Sequence, residues 1–153
     1  MNPLSVLVVG CGNMGSSHAR AYRRLAKDFR LVGLVARGRE SREKLAAELG
    51  GVPTFADFEQ AYAATKPDVV SINTYPDTHA AIARTALRSG SHVFVEKPLA
   101  ETVAEAQSIV DLARQHRRKV VVGYILRVHP AWQRFVEVAR TLGKPLVMRM
   151  NLN

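Results

Sequence analysis

Short apolar runs alternate with amphipathic segments over residues 4–124 of the 153-residue chain. Leu4–Val9 is an almost continuous apolar run, the pattern of a strand that is covered on both faces of its sheet. The predicted strands are residues 4–9, 30–36, 52–55, 68–73, 92–97 and 119–124, and the predicted helices are residues 14–27, 40–49, 57–65, 77–88 and 102–115. Strands and helices that alternate through short connections predict an α/β fold with a doubly wound parallel sheet.

Residues 125–153 break this alternation. A helix is predicted over residues 131–142, and residues 145–152 alternate apolar and polar side chains, as in a strand with one buried face. An apolar strand at a chain end would leave an exposed sheet edge, which proteins avoid. We therefore predict two domains: residues 1–124, and residues 125–153 as a connecting helix and the first strand of an incomplete second α+β domain.

The chain is basic, with 22 Lys and Arg against 13 Asp and Glu, for a net charge of +9. Most of the basic residues are scattered, and the one dense cluster, residues 114–119, closes a predicted helix, where cations favour the macrodipole. That cluster has no interleaved aromatic residues, which a platform for single-stranded nucleic acid would need. We therefore expect no nucleic-acid partner.

No apolar run approaches the roughly 20 residues of a membrane span, and the N-terminus lacks the pattern of a secretory signal. The chain has a single cysteine, Cys11, so an internal disulfide is excluded. These observations predict a cytoplasmic protein with no membrane partner.

A glycine-rich loop follows the first predicted strand and opens the first predicted helix. It matches the dinucleotide-binding pattern G-x-G-x-x-G in the context which that pattern requires. Its six residues are the candidate phosphate contacts: Gly10, Cys11, Gly12, Asn13, Met14 and Gly15. The first glycine permits the tight turn, the second lets the backbone approach the pyrophosphate, and the third lets the helix pack close to the strand. We interpret the cysteine side chain as a small buried filler.

The end of the second predicted strand carries no acidic residue. Folds specific for NAD place an acid there to bind the adenosine ribose, whereas Ala36 takes that position in this chain. Arg37 follows and could pair with a 2′-phosphate or stack on adenine, with Arg39 and Ser41 as secondary candidates. The sequence therefore favours NADP over NAD and leaves NAD open.

Lys97 stands at the end of a buried strand, between Glu96 and Pro98. Proline cannot continue a sheet ladder, so the strand ends there, and ligands of open α/β sheets bind outside the carboxyl ends of the strands. The glycine-rich loop together with Glu96-Lys97-Pro98-Leu99-Ala100 resembles the Gfo/Idh/MocA (glucose–fructose oxidoreductase/inositol dehydrogenase) family of nicotinamide-dependent oxidoreductases.

The resemblance implies a Rossmann fold and hydride transfer between NAD(P) and a hydroxyl or oxo carbon of a sugar, cyclitol or similar small polar substrate. It implies that Lys97 is catalytic, beside the nicotinamide and the reacting carbon. For Glu96 it leaves two roles open, a bond to the nicotinamide ribose or support of Lys97. The family's substrate pocket lies in a second domain, so we expect this fragment to bind dinucleotide without turnover, and the parent protein to be an enzyme and a homo-oligomer.

Further site residues follow from the same resemblance. The segment after the fourth strand is similar to the family's Thr-Pro-Asn-x-x-His and places Asn73, Thr74, Tyr75 and His79 at the cofactor crevice. We expect the histidine to be a structural hydrogen-bonding residue rather than an acid or base. Residues 123–130 are similar to a Gly-(Phe/Tyr)-x-x-Arg segment, which implies that Arg127 lies near the cofactor or substrate.

The rest of the sequence argues against a metal site and a serine nucleophile, and it leaves two alternative classes of protein. The five histidines are dispersed, so we predict no metal site, and the pattern of a serine nucleophile elbow is missing. A stand-alone nucleotide-binding or redox-sensing module is one alternative. A reductase of the biliverdin or dihydrodipicolinate type with a related first domain is the other, and Glu96-Lys97-Pro98 favours the Gfo/Idh/MocA family over it.

Overall fold

The computed structural model describes residues 2–144 and 147–149. In this part of the chain one parallel sheet has six strands: β1 (Leu4–Val9), β2 (Phe29–Val35), β3 (Thr54–Phe55), β4 (Val69–Ile72), β5 (His92–Val95) and β6 (Val120–Val122). Their order across the sheet is β3-β2-β1-β4-β5-β6, and each neighbouring pair is parallel. The predicted doubly wound α/β fold of the Rossmann type is confirmed.

Among the described residues, five helices connect the strands, and a sixth follows the last strand. They are α1 (Asn13–Arg24), α2 (Arg39–Glu48), α3 (Phe58–Thr65), α4 (Pro76–Arg88), α5 (Val103–Gln115) and α6 (Pro130–Thr141), with a short 3₁₀ turn over Ile125–Arg127. At the start of α5, the Thr102 hydroxyl accepts the Glu105 N–H at 3.2 Å and the Glu105 carboxylate accepts the Thr102 N–H at 3.3 Å. This is a capping box, which satisfies two otherwise unpaired donors of the helix terminus.

The third strand is shorter than residues 52–55, the range that the sequence predicts. Pro53 has no N–H, so it cannot donate to the ladder, and the strand begins only at Thr54. The Pro53 carbonyl still accepts the N–H of Leu34 on the neighbouring strand at 2.9 Å. The correction is therefore one of length, since the strand lies where the sequence predicts it.

The core lies on both faces of β1, because this strand is central and pairs with a neighbour on each side. Val6 and Val8 pack with buried residues of α1 and α2, whereas Leu7 and Val9 pack with buried residues of α3, α4 and α5. Alternate side chains of a strand point to opposite faces, so the continuous apolar run of β1 supplies both layers.

The chain divides into two compact units, Met1–Gly123 and Tyr124–Asn153. The first holds the sheet with its five helices, and the second holds the 3₁₀ turn and α6. The predicted strand over residues 145–152 lies mostly outside the described residues, and residues 147–149 have no regular secondary structure. Among the helices of the described residues, none has the length and apolar character that crossing a membrane requires.

Candidate functional site

The site is built where the carboxyl ends of β1, β2, β4 and β5 meet. β1 pairs with β2 on one side and β4 on the other, so successive connections leave this point in opposite directions. Such a reversal opens a crevice between the loops that follow the strands, and this is where open α/β sheets bind ligands. The Gly10 N–H donates to the Val35 carbonyl at 2.8 Å, and the Asn73 N–H donates to the Val9 carbonyl at 2.7 Å.

The glycines of the loop after β1 are required for different reasons. Gly10 has a φ of +95°, and a Cβ there would lie 2.6 Å from the Asn73 carbonyl oxygen, so both conformation and space exclude a side chain. A Cβ at Gly15 would collide with the carbonyl oxygen of Gly10. A Cβ at Gly12, by contrast, would meet no described atom within 4 Å. Folding therefore needs the outer two glycines, while the space at the middle one is open to a ligand.

The N-terminus of α1 offers unclaimed N–H donors. Gly12 is the N-cap residue, no side chain among the described residues caps the helix, and its first turn holds no acidic residue. The first intrahelical bond runs from the Ser16 N–H to the Gly12 carbonyl at 2.8 Å, which leaves the N–H groups of residues 13–15 without a partner within the helix. Free N–H groups and the positive end of the helix dipole fit the pyrophosphate of a dinucleotide.

Asn73 carries a buried acceptor without a donor. Its side-chain nitrogen donates to the carbonyl and to the hydroxyl of Ser71, at 3.0 and 3.1 Å. Its Oδ1 is buried and has no hydrogen-bond partner in the described part of the chain. An unpaired buried acceptor costs about 1–3 kcal/mol, so this oxygen favours a ligand that brings a donor into the crevice.

Cys11 is buried under the loop, and its thiol donates to the Val35 carbonyl at 3.6 Å. Burial raises the pKa of this thiol to about 11, so it stays protonated at neutral pH. Only the thiolate is a good nucleophile, so this placement fits the predicted filler and does not support redox sensing.

The loop after β2 contains the candidates for cofactor selectivity. Ala36 is half-buried at the strand end, and Arg37 is exposed. The guanidinium of Arg39 is held by the Glu43 carboxylate at 2.7 Å, and the Ser41 hydroxyl donates to the carbonyl of Gly38 at 3.0 Å. Arg39 and Ser41 are thus engaged with their own helix, whereas no hydrogen bond or ion pair among the described residues involves the Arg37 side chain.

Arg42, which the sequence analysis did not single out, fixes the backbone of this loop. Its Nη1 donates to the carbonyls of Ala36 and Arg37, at 2.9 and 3.1 Å, while its Nε is buried without a partner among the described residues. The sequence position of Arg42 could have indicated this role. A cation near the start of α2 interacts unfavourably with the helix dipole, so a stabilising contact elsewhere is expected for it.

Glu96, which is buried, and His18, which is partly buried, form a pair beside Lys97. Glu96 is 6% exposed, and its Oε1 lies 2.7 Å from His18 Nε2. The other carboxylate oxygen accepts the Lys97 N–H at 3.2 Å, while the Lys97 side chain is exposed. The Lys97–Pro98 peptide bond is cis. The sequence did not lead us to predict His18 as a site residue. It lies one turn after Gly15 on the face of α1 that packs against the sheet, and a polar side chain on that face needs a hydrogen-bond partner.

His79 joins the loops that follow β4 and β5. Its ring is fully buried, with Nδ1 2.7 Å from the Pro98 carbonyl oxygen and Nε2 3.1 Å from the Thr74 carbonyl oxygen. The two hydroxyl oxygens of Thr74 and Thr78 are 2.6 Å apart, and Tyr75 is 77% exposed at the crevice. These contacts fit the structural role expected for His79, and its place at the cofactor crevice stays a prediction.

Arg127 belongs to the second unit, where its guanidinium lies 5.5 Å from the ring centroid of Tyr124. The cofactor contact predicted for it stays a prediction. Within residues 2–144 and 147–149 no group of three or more His, Cys, Asp or Glu side chains is arranged to hold a metal ion.

A second concave region lies at the opposite, amino-terminal edge of the sheet. This pocket of about 440 Å³ is lined by Lys66, Asp68, His92 and Arg118, among others. The Asp68 carboxylate accepts both the N–H and the hydroxyl of Ser5, at 2.8 and 2.6 Å, which lowers the pKa of that carboxyl. The Asp68 carboxylate is thus used within the fold, and the glycine loop and Lys97 are at the other edge.

A family model described as an oxidoreductase family with an NAD-binding Rossmann fold (Gfo/Idh/MocA) matches residues 4–124. The chain belongs to this family. The matched region covers the whole parallel sheet, from β1 to the residue after Gly123. The first unit of this Gfo/Idh/MocA chain is therefore the NAD-binding Rossmann domain that the family model describes, as the sequence predicts.

Individual relatives agree with the family match. The UDP-N-acetylglucosamine 3-dehydrogenase of Acidithiobacillus ferrooxidans is 33% identical over 126 residues, which are 82% of this chain and 38% of that protein. A crystal structure of that enzyme covers 90% of this chain and 42% of its own, at a TM-score of 0.79. The inositol 2-dehydrogenase of Agrobacterium fabrum is 28% identical over 144 residues, 92% of this chain and 43% of that protein.

A solved complex with cofactor is also similar. GenD2 from gentamicin A biosynthesis, crystallised with NAD, is 27% identical at a TM-score of 0.84, over 91% of this chain and 39% of that one. This Gfo/Idh/MocA chain thus spans about two fifths of the length of the relatives that it matches.

Replacing Gly12 by alanine separates cofactor binding from folding. Because the added methyl meets no described atom within 4 Å, we expect the free energy of unfolding in urea to fall by no more than about 1 kcal/mol, the difference between glycine and alanine at an N-cap. We expect the pyrophosphate to approach the backbone at this residue, so the added methyl should lower NADPH affinity, measured by fluorescence titration, at least about tenfold.

The contrasting variant is Gly10→Ala. It forces a side chain into a positive-φ position against the Asn73 carbonyl, so it should lower stability first and binding as a consequence. Unchanged NADPH affinity in Gly12→Ala would show that the dinucleotide does not lie against this loop.

Proposed function

We propose that this chain is the cofactor half of an NADP-preferring dehydrogenase that oxidises a hydroxyl carbon, or reduces an oxo carbon, of a sugar, cyclitol or similar small polar substrate. The observation that carries the proposal is one continuous edge of the sheet. On it, the open glycine loop after β1 and the exposed Lys97 after β5 lie on either side of the loop after β4. The named activities of the relatives support this class of substrate.

Charge at the end of β2 supports the preference for NADP. The segment from Ala36 to Arg42 contains three arginines and one acid, Glu40, and no carboxylate stands at the strand end. The 2′-phosphate on the adenosine ribose carries about two negative charges, so it can pair with Arg37. No carboxylate at the strand end repels it. Arg42 holds the carbonyls of residues 36 and 37 and so keeps the backbone under Arg37 in place.

Lys97 supplies the charge that the reaction needs. A bound nicotinamide would supply the hydride chemistry at the carbinol carbon of the substrate. The Lys97 ammonium donates a hydrogen bond to the substrate oxygen and stabilises the negative charge that develops as the hydroxyl loses its proton. The substrate pocket and the remaining acid–base groups belong, in the family, to a second domain, so we propose that this chain alone binds dinucleotide without turnover.

The rival reading as a redox-sensing module has less support, because the one cysteine is buried and its pKa is raised to about 11. The homo-oligomer that we expect for the full-length parent, and the cytoplasmic location, remain predictions.

Arg37→Asp should reverse the cofactor preference. A charge-assisted pair with the 2′-phosphate contributes about 1.5–3 kcal/mol, so its loss should weaken NADPH binding by about tenfold to a hundredfold. The new carboxylate can bond the ribose hydroxyls, so NADH binding should hold or improve. Arg117→Asp makes the same charge change at the opposite edge of the sheet and should leave both affinities within about twofold. An intact NADPH preference in Arg37→Asp would contradict this assignment.

Lys97→Ala should slow catalysis far more than it weakens cofactor binding. Removing one donor that stabilises charge in the transition state costs about 10²–10³ in kcat. The assay needs the protein together with its substrate domain, whereas NADPH titration can use the present chain. Lys119→Ala, which removes an exposed lysine at the other edge, is the control. If turnover stayed near normal while NADPH binding failed, Lys97 would be a cofactor anchor and not a catalytic residue.

A further inference from the structure

Glu96 is a buried carboxylate whose two oxygens are both occupied within the fold. Oε1 lies 2.7 Å from the Nε2 of His18, and Oε2 accepts the Lys97 N–H at 3.2 Å. A carboxylate oxygen accepts hydrogen bonds, so we take His18 to be the tautomer that carries its proton on Nε2. With one hydrogen bond on each oxygen and only 6% of the residue exposed, Glu96 is better placed to support Lys97 than to bind a ribose hydroxyl.

Space for this carboxylate is provided by a glycine on the adjacent strand end. Gly123 donates its N–H to the Val95 carbonyl at 2.8 Å, which places it directly beside Glu96. A Cβ at Gly123 would lie 3.2 Å from both Cδ and Oε1 of Glu96. That distance is tight for any side chain, so residue 123 must be small for the carboxylate to keep its place.

The His18 ring is held as well. It packs against Phe94, with the ring centroids 4.8 Å apart and the planes inclined at 56°. Phe94 and Glu96 are two residues apart, so both point to the face of the sheet that α1 covers. The pair is therefore a fixed bridge from the helix of the phosphate loop to the loop that carries Lys97.

We propose that His18 and Glu96 are positioning residues: through the Glu96 carboxylate, His18 fixes the backbone of Lys97 relative to α1, and hence the lysine relative to the bound cofactor. This inference rests on the proposed function of Lys97. It assigns Glu96 to the support of the lysine, one of the two roles that the sequence leaves open. A lysine displaced by about 1 Å from the reacting atoms can lose about two orders of magnitude in rate.

The test compares His18→Gln with His18→Leu. Glutamine retains an N–H donor at a similar reach, whereas leucine fills the space and leaves the carboxylate unpaired. In the enzyme with its substrate domain, His18→Leu should lower kcat by about tenfold or more, with the cofactor KM within about threefold. His18→Gln should restore kcat to within about threefold of the original. His116→Leu, at the C-cap of α5 near the other edge, is the control.

A second readout needs no turnover. In the present chain, hydrogen exchange of the Lys97 amide should quicken by about tenfold in His18→Leu and stay slow in His18→Gln, because its acceptor, Oε2 of Glu96, is held only when His18 or its substitute donates to Oε1. If His18→Leu does not fold, the double variant His18→Leu/Glu96→Gln removes the buried charge, and the same losses are expected from it.

Three results would overturn the inference. One is a His18→Leu enzyme with normal kcat and normal Lys97 exchange. Another is equal loss in the glutamine and leucine variants, which would require the imidazole itself. The third is a large loss of cofactor affinity with kcat unchanged, which would make Glu96 a cofactor ligand. Failure of the proposed function is distinguishable, because it would appear as normal turnover in Lys97→Ala.

Discussion

The hydrogen-bond ladder of the sheet continues one residue beyond four strand ends, and the site depends on this continuation. The N–H groups of Gly10, Asn73, Glu96 and Gly123 donate to carbonyls at the ends of the neighbouring strands, at 2.7 to 2.9 Å. Parallel strands in register end at the same edge, so these bonds set the first residue of each loop in one row. The phosphate loop, the crevice and the lysine are positioned by backbone geometry before any side chain contributes.

Side-chain hydrogen bonds then hold together the loops that the backbone ladder positions. The loops after β4 and β5 are joined by His79, and the loop after β5 is joined to α1 by the pair of Glu96 and His18. The His79 ring and Glu96 are buried, and His18 is partly buried. Hydrogen bonds that are shielded from water are strong, and unpaired groups there are costly. The exposed groups of the same edge, the N-terminus of α1 and the Lys97 ammonium, are left for ligands. The groups that hold the site together are thus different from the groups that can bind a ligand.

Much of this could be predicted from local sequence. The apolar run of β1, the glycine loop and the capping box at Thr102 are short-range patterns, and short-range patterns report backbone conformation directly. The start of β3 was misplaced because strand propensity took precedence over the missing N–H of Pro53. The pairing of His18 with Glu96 was out of reach, since the two residues are 78 positions apart and meet only through the packing of α1 on the sheet. Arg42 was missed because its partners are backbone carbonyls, so that only its unfavourable position near the start of α2 indicated a role.

We propose that a nicotinamide dinucleotide lies along the carboxyl edge of the sheet, from the glycine loop to Lys97. Titrating NADPH into the isotopically labelled chain and following backbone amide shifts tests this most directly. We expect the amide signals of residues 12–15 and of Lys97 to shift saturably with one common affinity. The amide signals around Lys66 and Arg118, at the opposite edge, should not shift. Shifts centred on that opposite pocket, or shifts of the glycine loop that leave Lys97 unaffected, would contradict it.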